Sequence, residues 1–147
     1  MVWLRYAFVF LAVAVGVAQV VLWLDRDPGL SFGGALQLMV PAMIAALIEG
    51  GQLAKRERAR PSSARAWRFA GVAAGIATLL NLALAFAGPQ VAPEFAKLAI
   101  APVDGRQFWL LLAIYAGGYF IVNRFFYGLG AGNTISRLKA HEERERG

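Results

Sequence analysis

The sequence predicts an all-α integral membrane protein of four transmembrane helices, with a short outer interfacial helix and a cytoplasmic C-terminal helix. Charged residues make up only 16% of the chain, mean hydropathy is +0.53, and four separate stretches are long and apolar enough to span a bilayer. A soluble domain carries roughly 25% charged residues to cover its water-facing surface. A helix crossing a hydrocarbon core of about 30 Å needs about 20 apolar residues at about 1.5 Å each.

The first stretch, 6–24, holds no charge, is entered through Trp3 and closes at Trp23 before Asp25-Arg26-Asp27-Pro28-Gly29. It is too long for a signal h-region and has no small-x-small cleavage site at its end, so it reads as a retained span. The others are 32–53, 69–88 and 108–129. Residues 1–132 then form one transmembrane bundle, and 133–147 a charged cytoplasmic tail.

Orientation follows from the basic residues of the short loops. The second loop carries Lys55, Arg56, Arg58, Arg60, Arg65 and Arg68 against Glu57 alone, while the flanking loops carry Arg26, and Lys97 with Arg106. The second loop is therefore expected in the cytoplasm, and with four spans both termini join it. This agrees with Arg5 at one end and with Arg137, Lys139, Arg144 and Arg146 at the other. The six basic residues of the loop suit anionic lipid headgroups, worth about 1 kcal/mol each near the surface; nucleic acid is not expected as a partner.

Pro93 and Pro102 bracket a segment of the third loop in which Phe95, Leu98 and Ala99 share a helical face. That pattern predicts a short helix in the outer interface. After the fourth span, Gly128, Gly130 and Gly132 predict a helix stop, since the strand context of a phosphate-binding glycine loop is missing. Asn133 or Thr134 then caps a new polar helix.

Polar groups inside the bilayer are costly and carry the best functional signal. Gln19, Gln37, Asn81 and Tyr115 all fall about 7 to 11 Å below the outer boundary. They predict one polar layer, either hydrogen-bonded between helices or lining a small pocket for a quinone headgroup, lipid or solute. Pro41 frees the carbonyl of Gln37 within this layer. Near the inner boundary, Glu49 and Arg124 are expected as an intramembrane ion pair. Two alternatives stand beside it: Arg124 snorkelling to the headgroups while Glu49 takes a loop arginine, or Glu49 acting as a proton-coupling carboxylate. Gly71 with Gly75, Ala12 with Gly16, Ala42-Ala46-Gly50, and Ala113 with Gly117 recur at small-xxx-small spacing, and Gly16, Gly71, Gly75 and Gly117 above all are expected at helix-packing surfaces.

The segment Gly50-Gly51-Gln52-Leu53-Ala54-Lys55-Arg56, followed by Arg60-Pro61-Ser62 and Trp67-Arg68-Phe69, resembles the cytoplasmic hairpin of a family of roughly 150-residue, four-span bacterial inner-membrane proteins. The end of the fourth span, with Arg124, Gly128, Gly130 and Gly132, is similar too. Ala64-Arg65-Ala66 departs from that pattern, which has an acidic residue before the tryptophan. The resemblance implies four spans in the bacterial inner (cytoplasmic) membrane, and implies no activity.

The chain has no cysteine and a single histidine, which speaks against thiolate chemistry, a histidine metal site and a Ser-His-Asp triad. No catalytic residues, metal or cofactor are expected. The expected function is an accessory, assembly or stabilising subunit packing against a larger membrane complex or a second copy of itself, with membrane lipids as its other partners. The alternative is a small proton-coupled transporter, dimeric or not, using Glu49.

Overall fold

A computed structural model describes residues 1–24, 34–90, 102 and 105–147; the side chains at 22, 24 and 34–37 lie outside that description, as does the helix expected at 93–101. The described residues form α1 (Val2–Leu24), α2 (Gly34–Glu57), α3 (Ser63–Ala87) with a one-turn 3-10 extension (Gly88–Gln90), and α4 (Arg106–Arg146), with no strand among them. Each of the four long helices contains a segment apolar and long enough to cross a membrane.

Local chemistry accounts for the turn between α2 and α3. Arg58 takes a left-handed conformation, φ 49°, and its amide still bonds to the Ala54 carbonyl, which ends α2. Pro61 follows, and Ser62 caps α3 by accepting from the Arg65 amide at 3.3 Å. Glu57 and Arg65 bridge the turn at 2.7 Å.

Around the bundle the helices run α1, α2, α4, α3, with the most extensive packing between α2 and α4. The α1–α3 seam is slight, and among the described residues α1 and α4 meet only through side chains reaching across the core. That core combines alanine with aromatic rings. Ala42, Ala45 and Ala46 of α2 and Ala66, Ala73, Ala74 and Ala77 of α3 leave room for Tyr6 and Phe10 of α1 and Tyr119 and Tyr127 of α4. Phe69 is the hub: it stacks on Tyr127 at 3.9 Å and on Trp3 at 5.5 Å, and meets the Tyr6 ring edge-on at 5.9 Å. Such aromatic pairs add about 0.5–1.5 kcal/mol each beyond burial.

The glycines of α4 do not stop the helix, which continues unbroken to Arg146 instead of restarting at Asn133. Gly130 is where α4 crosses α2: a Cβ there would collide with the Leu47 carbonyl, and one on Gly50 with the Tyr127 carbonyl. The two backbones touch with no side chain between them, so glycine serves close approach here and not chain reversal. At this crossing Gly132 lies against the Arg60 guanidinium and Gly128 beside Arg124. The 41 residues of α4 extend about 61 Å, and beyond the crossing Glu142 forms an ion pair with Arg58 of the turn.

Candidate functional site

The end of the bundle that carries the α2–α3 turn and the chain's N-terminus holds most of its charge and its polar contacts. Glu49, 3% exposed, is gripped there by Arg5, with Nε and Nη2 donating to the two carboxylate oxygens at 2.5 Å each. This corrects the expected pairing of Glu49 with Arg124. Glu49 faces α1, whose first turns pack beside the end of α2, whereas Arg124 faces α3 and lies with its guanidinium 5.1 Å over the Trp67 ring. Trp67 in turn stacks on Phe120 at 5.2 Å. The bidentate fork is the strong geometry for a buried carboxylate. It secures the start of α1 to the bundle.

Deeper in the core runs a chain of hydrogen bonds that the sequence reading missed. Tyr6 donates to Asn123 Oδ1 at 2.8 Å, Asn123 Nδ2 donates to the Tyr119 carbonyl at 2.8 Å, and Tyr119 donates to the Leu38 carbonyl at 3.0 Å. Leu38 is next to Gln37, whose carbonyl loses its helical donor to Pro41. Asn123 and the Tyr6 and Tyr119 side chains are all buried. A lone asparagine in an apolar run, one position before Arg124, is the signal that could have located it.

Between α1, α2 and α3 the slight seam opens into a cleft of about 410 Å³ whose walls carry Arg5, Arg56, Arg65 and Arg68, with Glu49 and Glu57 as its carboxylates. Trp3, Phe69 and Tyr127 supply aromatic surface. The basic residues expected at headgroups therefore divide. Arg56, Arg65 and Arg68 line the cleft, Arg58 is engaged by Glu142, Arg60 rests on Gly132, and Lys55 is exposed at the end of α2.

The expected polar layer does not assemble among the described residues. No hydrogen bond joins Gln19, Asn81 and Tyr115, and the Gln37 side chain lies outside the description. Gln19 is exposed on α1, Asn81 is half-buried, and Tyr115 packs beside the small cluster Ala18, Leu38 and Ala85. The expected packing glycines also differ from expectation. Among the described residues Gly16, Gly75 and Gly117 have nothing of the other helices near them, and Gly71 faces the Phe120 ring. Helix contact falls instead on Gly50, which closes the Ala42-Ala46-Gly50 row at that spacing, and on Gly130, which no such row marks.

Among the described residues no three histidine or carboxylate side chains gather in metal-binding geometry. Comparison with protein-family models, curated proteins and solved structures gave no match.

Proposed function

We propose that this chain is a non-catalytic inner-membrane protein that serves as an accessory or stabilising subunit, docking through α1 onto another transmembrane helix. One observation carries the reading: Ala12, Gly16 and Gln19, spaced for one helical face, are all exposed, and none of the described residues of the other helices stands over Gly16. With Leu24 as the outer end of α1, Gln19 lies about 7 Å inside the apolar layer. An amide turned outward at that depth is stabilised by a hydrogen-bonding partner helix, and the small residues beside it permit close approach. The basic loop supports a cytoplasmic α2–α3 turn, and with it cytoplasmic termini.

The test is the native mass of the protein extracted from its own membrane in a mild detergent, for the parent and for Gly16→Leu and Gln19→Leu. Co-migration with a larger assembly, or as a homodimer, that both substitutions disrupt is the expected result. A monomer in the parent, or an assembly indifferent to both changes, refutes the docking face. The transporter alternative requires Glu49 to exchange partners, whereas here both carboxylate oxygens are held by Arg5. It predicts pH-dependent solute uptake in vesicles that Glu49→Gln abolishes.

A further inference from the structure

We infer that the arginine cleft is a binding site for an anionic phospholipid of the cytoplasmic leaflet, holding the phosphate among guanidinium groups and one acyl chain along α1. The inference shares with the accessory reading only the membrane embedding and the cytoplasmic placement of the turn.

The geometry consists of two concave surfaces that meet. The cleft of about 410 Å³ and an apolar groove of about 720 Å³ have Val2, Arg5 and Arg56 in common. From those residues the groove continues over Leu4, Phe8 and Leu11, which follow one another at helical spacing along the outward side of α1. A cationic cavity thus opens into an apolar trough leading along α1 toward the middle of the span. That shape fits an amphiphile with one charged end; a free anion has no use for the trough.

Within the cleft the arginines are not equivalent. Arg5 is committed to Glu49 and Arg65 to Glu57, while Arg56 and Arg68 have no carboxylate partner among the described residues. Two uncommitted guanidinium groups are suited to a phosphate, which they bind through paired N–H donors. The stacked Trp3 and Phe69 rings stand beside them at the level where tryptophan favours the boundary between headgroup and hydrocarbon. Arg58 and Arg60, on the same turn, are taken up by α4, which predicts that they contribute little.

Native mass spectrometry and thermal unfolding of the full chain in neutral detergent test this, with phosphatidylglycerol, phosphatidylcholine and soluble glycerol phosphate as probes. The expected result is retention of phosphatidylglycerol in preference to phosphatidylcholine, with affinity falling about thirtyfold in Arg56→Gln/Arg68→Gln and unchanged in Arg58→Gln/Arg60→Gln. Phe8→Ser is expected to weaken phospholipid retention as well. Equal retention of both lipids, or undiminished binding by Arg56→Gln/Arg68→Gln, overturns the site. Stabilisation by glycerol phosphate equal to that by phosphatidylglycerol overturns the lipid and leaves a free-anion site. Because these readouts use the isolated chain, loss of the proposed partner assembly does not alter them.

Discussion

The two ends of the bundle are built differently. At the turn end, Arg5 and Glu49 join α1 to α2, Phe69 links α1, α3 and α4 by its ring contacts, and α2 touches α4 backbone to backbone. Toward the opposite end the buried residues among those described are Ala18, Val21, Leu38, Ala85, Gly88 and Phe108, with Leu84 and Tyr115 packed against the cluster of Ala18, Leu38 and Ala85. Since lipid tails are as apolar as the helices, burial alone does not hold a membrane bundle together. The comparison teaches that, among the described residues, close packing and polar contacts coincide in the half nearest the turn.

Substitutions graded by their expected effect break that asymmetry one contact at a time. The largest effect is expected from Gly50→Val or Gly130→Val, because the new side chain strikes backbone that has nowhere to relax; loss of about 3 kcal/mol or more is expected. A cooperative thermal transition in detergent at the parent midpoint would contradict the crossing. Next comes Arg5→Gln, which strands the buried Glu49 carboxylate and is expected to destabilise by about 3 kcal/mol. Glu49→Gln costs less, since the Arg5 side chain is 33% exposed and finds solvent. The double change of Arg5 and Glu49 is expected to be far from additive, whereas Glu49→Gln with Arg124→Gln adds.

Smaller again is Asn123→Leu, which leaves the buried Tyr6 hydroxyl without its acceptor and is expected to cost about 1 to 2 kcal/mol. Its counterparts at the opposite end, Asn81→Leu and Tyr115→Phe, are expected to stay within about 0.5 kcal/mol. Unfolding of these variants side by side sharpens the comparison directly: equal losses at Asn123 and Asn81 would show the two ends to be alike.

The parts of this architecture that were legible in the sequence are those written locally. Apolar runs mark the four helices, whereas the Ser62 cap, well ahead of the expected start at 69, lies in the charged loop that hydropathy skips. The order of helices around the bundle was not legible, because it depends on which faces meet and not on their composition. That is why Glu49 was matched with Arg124, a residue at similar depth, when its partner proved to be Arg5 at the beginning of the chain. The glycines of α4 misled for a related reason. Three glycines within five residues ordinarily mark a helix end, but here tertiary contact overrides that propensity: Gly130 lies on the α2 backbone, with Arg124 beside Gly128 and Arg60 beside Gly132.

The length of α4 has a mechanical meaning. About half of its roughly 61 Å exceeds the thickness of a bilayer core, and that excess is fastened to the α2–α3 turn through Arg58 and Glu142. The Gly50–Gly130 crossing holds the same helix to α2 nearer the core. Cutting the exposed tie with Glu142→Gln is therefore expected to loosen only the last turns of α4, read as faster amide exchange there, while the crossing stays closed.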